Sequence, residues 1–140
     1  MKIVNIYIGI SSKNTRKSDR KFGYVLELEG NPNTKDGFGE VKATYNGATL
    51  KAINEALRRL NQCCEVRVHV ENRFIANMIE NNLDRWAGTD FKTTKGKYLE
   101  NKEEWKRLWE LSQKQLIIMA AGRHSYSSWI EEQIKEKGNV

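Results

Sequence analysis

The sequence predicts an α/β protein, a five-stranded mixed sheet flanked by helices, built as one domain over residues 1–140. Two observations carry this. The first third holds three strand-like segments with no helix between them, and the rest alternates helical and strand periodicity. Such an order gives an antiparallel meander of three strands, then two strands parallel to the first, with helices on the sheet faces.

Each element has its own signal. Residues 1–10 are rich in Ile and Val and read as a central strand buried on both faces. Residues 11–20 are polar and basic and read as a loop. Residues 22–29 alternate Phe22, Tyr24, Leu26 and Leu28 with Gly23, Val25, Glu27 and Glu29, a strand with one wetter face. Gly30-Asn31-Pro32-Asn33 is turn chemistry, and residues 37–44 return as a third strand. Asn46 is read as the N-cap of a helix whose stripe is Ala48, Ala52, Ile53, Ala56, Leu57 and Leu60. Residues 65–70 form a fourth strand through Val66, Val68 and Val70, and residues 72–82 a second helix. Asn101 caps a third helix carrying Trp105, Leu108, Trp109 and Leu111. Residues 116–121 are a short buried fifth strand, and residues 125–137 a last helix with Trp129, Ile130 and Ile134 on one side.

Composition narrows the class. With 39% hydrophobic and 30% charged residues, a chain of 140 residues suits a folded domain with a real core. No apolar run approaches the length of a membrane span, and the first residues lack a signal-peptide layout, so the expectation is a cytoplasmic, membrane-free monomer. Cys63 and Cys64 are adjacent, a poor geometry for bridging, and read as small residues entering a strand. The net charge of +6 suits an anionic partner, and the basic groups cluster at Lys13, Arg16, Lys17, Arg20 and Lys21 and again at Lys92, Lys95 and Lys97.

The stretch from Trp86 to Trp105 is the most specific. Trp86, four residues, Phe91-Lys92-Thr93, the turn Lys95-Gly96-Lys97, then Asn101 and Trp105 through Leu108 resemble the ribonuclease H family, with Phe91 where the family has a second Trp. Other landmarks agree: Tyr7-Ile8-Gly9-Ile10-Ser11, Phe22-Gly23-Tyr24, Thr44 with Asn46, and Val70-Glu71-Asn72. The resemblance covers essentially the whole chain and implies a ribonuclease H-like fold. It lies nearest a divergent bacterial subgroup of small proteins.

That resemblance implies a chemistry. The family hydrolyses phosphodiesters with two magnesium (or manganese) ions about 4 Å apart, held by four carboxylates. Carried over, the bridging Asp position is Gly9 and the helix Glu position is Thr49, neither a carboxylate. The position after strand four is Glu71, and that on the last helix is Glu131, with Glu132 as alternative. Glu27 or Glu40 on neighbouring strands could reach in. The family's loop His corresponds to His124, or to Ala121 without gaps, and His69 reads as structural. Thr44, Asn46, Asn72, Lys92, Lys95 and Lys97 match nucleic-acid contacts. The implied function is binding of RNA–DNA hybrid or double-stranded nucleic acid, with a degenerate site and weak or absent cleavage. The alternatives are a magnesium-dependent nuclease with rearranged carboxylates and a non-catalytic protein-interaction module.

Overall fold

The computed structural model describes residues 1–138. Its elements run β1 (Lys2–Ile10), β2 (Ser18–Leu28), β3 (Thr34–Ala43), α1 (Tyr45–Leu57), β4 (Cys64–Val70), α2 (Arg73–Gly88), α3 (Lys102–Ser112), β5 (Leu116–Ala121) and α4 (Ser127–Gly138). The strands form one sheet in the order β3-β2-β1-β4-β5. β1 pairs antiparallel with β2, and β2 with β3, whereas β1–β4 and β4–β5 are parallel. The mixed sheet expected from the sequence is therefore present, with β1 at its centre.

β1 is apolar on both faces because both are covered. Val4, Ile6 and Ile8 join Val66, Val68 and Val70 in the core shared with Leu50, Ile53 and Leu57 of α1, Ile75 of α2 and Leu108 of α3. On the opposite face Tyr7 and Val25 pack against Ile130 and Ile134 of α4. Gly9 and Gly23 are partners across β1 and β2, and Ile130 sits in the notch that these two residues leave. Burying a side chain as fully as Ile130 contributes about 1.5–3 kcal/mol.

The Trp86–Trp105 stretch closes the other layer. α2 runs to Gly88, six residues beyond the expected end at residue 82, so Trp86 lies in its last turn. Asp90 and Phe91 then take positive φ values of 54° and 56°, and the chain folds back with the Phe91 N–H donating to Trp86 O at 2.7 Å. Phe91 is buried, and Trp86 and Trp105 meet edge to face with centroids 5.0 Å apart. The phenyl ring thus fills a core position. Asn101 precedes α3 but makes no side-chain cap, since its φ of 62° turns it away. Its Oδ1 lies instead against Gly47 of α1, 2.6 Å from where a Cβ would stand, so a side chain at that position would collide with it.

Three further expectations are corrected. Thr44, not Asn46, is the N-cap of α1, with its Oγ1 accepting from the Gly47 N–H at 3.1 Å. β5 is an edge strand rather than a buried one, leaving Leu116 and Ile118 exposed. Residues 18–20 belong to β2, not to the preceding loop, and Arg20 is 1% exposed. The Arg20 guanidinium donates to the carbonyls of Ser12, Asn14, Arg16 and Ala43 and to Ser12 Oγ and Asn14 Oδ1. It is an internal staple that ties the β1–β2 loop to the end of β3, not part of the surface charge.

The α4 side of the sheet also carries a polar and aromatic stack. His69 lies flat on Tyr7 with centroids 4.5 Å apart, and its Nε2 is 3.0 Å from Asn5 Oδ1. His124 places Nε2 2.8 Å from Ile8 O and accepts from the Tyr126 N–H at Nδ1 (3.2 Å), which makes it the neutral Nε2–H tautomer. Burial lowers the pKa of both imidazoles.

Two predictions follow from this packing. Arg20→Met leaves buried carbonyls without donors and costs about 2–4 kcal/mol, read by urea unfolding, with faster amide exchange across residues 11–17. The lowered His pKa values mean that the unfolded chain binds protons first. Stability is full above about pH 6.5 and falls as pH drops through the depressed folded values. Melting temperatures at pH 7.5 and 5.5 measure the loss, and His69→Gln with His124→Gln flattens it.

Candidate functional site

The ends of β4 and β5 gather the candidate residues. β4 and β5 run parallel with Val70 opposite Ala121, so the residues that follow them are neighbours. Glu71 comes directly after β4, and its side chain is only 12% exposed. After β5, Gly122 takes φ 124° and its N–H donates to Val70 O at 2.8 Å, which directs Arg123 toward Glu71.

Arg123 Nη1 lies 3.3 Å from Glu71 Oε1 and 2.9 Å from Glu131 Oε1. Its Nη2 donates to Ser128 Oγ at 3.1 Å. From the other side Lys13 Nζ reaches the same Glu71 Oε1 at 3.0 Å. Hydrogen bonding to Glu131, reinforced by the charges of Glu131 and Glu71, pushes the Arg123 pKa above its ordinary value, so the guanidinium is firmly cationic. The two carboxylates that the sequence singled out are therefore brought together, with a guanidinium between them. Glu132 is exposed elsewhere on α4.

The two positions without carboxylates are occupied structurally. A Cβ on Gly9 would stand 2.4 Å from Ile130 Cγ2, so any side chain there must displace the Ile130 side chain. Thr49 is buried, and its hydroxyl donates to Tyr45 O at 2.9 Å and accepts from Asn72 Nδ2 at 3.3 Å. Tyr45 lies close enough to Glu71 that the carboxylate adds to burial in raising its phenol pKa. Glu27 bonds Asn5 and the Tyr7 hydroxyl, both at 3.4 Å, and Glu40 is exposed on β3. Among the described residues no three His, Cys, Asp or Glu side chains are grouped to hold a metal ion. His124 is tied to Ile8 and Tyr126, as described, and Ala121 is the last residue of β5.

The expected contact residues fall into two places. Asn72 caps α2 by accepting from the Ile75 N–H at 3.0 Å, while its Nδ2 donates to Asn46 Oδ1 at 2.9 Å. Asn46, Asn72 and Thr49 thus form one network at the N-termini of α1 and α2, beside the Thr44 cap. Lys92, Lys95 and Lys97 sit in a tight turn, closed by Gly96 at φ 81° and the Lys92–Tyr98 bridge. α2 separates this turn from Asn72 by 16 residues, about 24 Å along its axis. Lys92 and Lys102 both lie over the Tyr98 ring, at 5.0 and 3.5 Å.

Sequence reasoning missed Arg123 and misplaced Arg20. Arg20 is in phase with Phe22 and Tyr24, which is a legible signal of the inward face. Arg123 has no local signal. Its partner Glu71 is 52 residues away, and only the parallel register joins them.

Comparison with known proteins agrees with this architecture. The ribonuclease H family model matches residues 1–124. Ribonuclease H of Campylobacter curvus is 28% identical over 120 residues, spanning 83% of this chain and 80% of that protein. The crystal structure of LC9-RNase H1, a type 1 enzyme with the type 2 active-site motif, superposes with a TM-score of 0.75 at 17% identity, over 98% of this chain and 70% of that one. The foamy viral protease–reverse transcriptase in complex with RNA/DNA hybrid superposes with a TM-score of 0.69 at 15% identity, over 95% of this chain and 19% of that one. With its β3-β2-β1-β4-β5 sheet and a family match that reaches to His124, the chain belongs to the ribonuclease H family.

Proposed function

We propose that this protein binds RNA–DNA hybrid or other double-stranded nucleic acid and does not cleave it by two-metal chemistry. One observation carries the reading. The Arg123 guanidinium stands between Glu71 and Glu131, the carboxylates that would have to face two divalent cations. A dication there would meet the Arg123 guanidinium on one side and Lys13 on the other. Two carboxylates already neutralised by two cations do not fit a pair of divalent metals, and Gly9 and Thr49 add no ligand. No catalytic step is therefore assigned to magnesium or manganese.

Binding has better support. Asn72 fixes the Asn46 side chain with its oxygen inward, leaving the Asn46 NH2 as a donor for a ligand such as a 2′-hydroxyl. Thr44 lies alongside for a phosphate oxygen. The Lys92, Lys95 and Lys97 turn supplies a second basic contact. At about 3.4 Å per phosphate along one strand, the 24 Å length of α2 spans about seven nucleotides. A related fold in the foamy viral enzyme is seen with RNA/DNA hybrid, which supports the same class of ligand.

The test is a labelled RNA–DNA hybrid incubated with the full chain in magnesium chloride, after removal of host ribonuclease H. The expected result is a shifted complex and no cleaved product. Cleavage that Glu71→Gln abolishes would defeat the proposal. In the same assay, replacing Lys92, Lys95 and Lys97 together with Gln weakens binding. The dependence of log K on log salt becomes shallower by up to about 3.

A further inference from the structure

We propose that Arg123 and Lys13 form a metal-independent phosphate anchor, which seats a backbone phosphate of the bound duplex where the family resemblance places metal ions. The inference rests on the reading above that the chain binds duplex nucleic acid. It names the atoms that hold the phosphate at this end of the site.

Three features make these two cations a built site rather than incidental surface charge. First, both share one anchor. Glu71 Oε1 accepts from Lys13 at 3.0 Å and from Arg123 at 3.3 Å. Glu71 is 12% exposed, whereas the side chains of Lys13 and Arg123 are 57% and 54% exposed. The carboxylate thus lies beneath, with the two cations above it facing solvent.

Second, each cation is held by a fixed backbone. Lys13 lies between Ser12 and Asn14, and the buried Arg20 binds both of those neighbours through their carbonyls and side-chain oxygens. Arg123 lies between Gly122, bonded to Val70 O, and His124, bonded to Ile8 O. Preorganised donors lose less entropy when a ligand arrives.

Third, donors remain for a ligand. A guanidinium carries five N–H groups and an ammonium three, and the bonds to Glu71, Glu131 and Ser128 use only some of them. Glu131 is 41% exposed, and its pairing with Arg123 is a surface ion pair of small net strength. A phosphodiester, which matches the planar fork of Arg, can take its place on the solvent side. Thr44, Asn46 and Asn72 lie on the adjoining rim of α1 and α2, so one strand can contact both groups.

Fluorescence anisotropy with a labelled RNA–DNA hybrid tests this, over a potassium chloride series at matched ionic strength with either EDTA or magnesium chloride. The wild-type chain should bind equally in both. Arg123→Gln and Lys13→Gln should each make the slope of log K against log salt shallower by about 1, and the double variant by about 2. Arg123→Lys keeps most of the slope, and Lys114→Gln, in the turn before β5 at the other end of the sheet, keeps all of it. Glu131→Gln, which removes a competing anion, tightens binding. Circular dichroism checks that each variant is folded, and both cations are exposed enough that their loss leaves the fold intact. Wild-type binding with an unchanged slope in Arg123→Gln and Lys13→Gln overturns the anchor and leaves the duplex-binding reading standing. Binding that EDTA abolishes, or that Glu131→Gln weakens, overturns it in favour of a metal-bridged contact. No binding by the wild-type chain overturns both.

Discussion

The seating of Ile130 in the Gly9–Gly23 notch is the contact on which the rest of this structure depends. α4 covers the face of the sheet opposite α1, α2 and α3, and its hold is a small cluster of Tyr7, Val25, Ile130 and Ile134. The notch exists because two glycines face each other across β1 and β2. Close approach brings α4 down onto the strands, and with it Glu131, the next residue, toward the end of β4. The same approach leaves no room for a side chain at position 9. Packing and chemistry are thereby coupled at one point. Placing an Asp at position 9 would require the Ile130 side chain to leave its pocket, so burial energy opposes a carboxylate there.

Arg20 has a comparable reach. A buried guanidinium without an ion-pair partner among the described residues is costly to desolvate, and here carbonyl and side-chain oxygens satisfy it. What it secures is the course of the β1–β2 loop. That loop carries Lys13, which reaches Glu71 across the sheet end. A residue with no contact to the candidate site thus determines where one of its charges stands. The basic cluster of residues 13–21 is consequently divided. One cation is internal, one is committed to Glu71, and Arg16, Lys17 and Lys21 remain for the surface.

The sequence showed the fold more readily than the site, for identifiable reasons. Element order and the central place of β1 were legible because period and two-sided apolarity are local properties. The exposure of β5 was not, since six apolar residues read alike on an edge or in a core. The sequence pointed to Asn46 as the cap of α1 and the structure uses Thr44, because both residue types cap well and the Asn46 side chain is engaged by Asn72 instead. Glu71 and Glu131 were identifiable from the family resemblance, and the structure brings them within reach of one guanidinium. The guanidinium itself was invisible, because it is placed by the parallel pairing of β4 with β5 and by the backbone of Gly122.

The charges around Glu71 offer an account of how such a site can change without collapse. The family resemblance implies four carboxylates balanced by two dications. Here two carboxylates face two single positive charges, so the local balance is kept at half the magnitude. Removing carboxylates alone would leave no reason for metals to bind, and adding cations alone would leave surplus positive charge beside a buried core. Made together, the changes are electrostatically neutral. The network at Asn46, Asn72 and Thr49 stands beside these charges. Glu71 is the pivot of this arrangement, since one of its oxygens accepts from both cations. Its carboxylate, 12% exposed, holds the two cations in register at the end of β4.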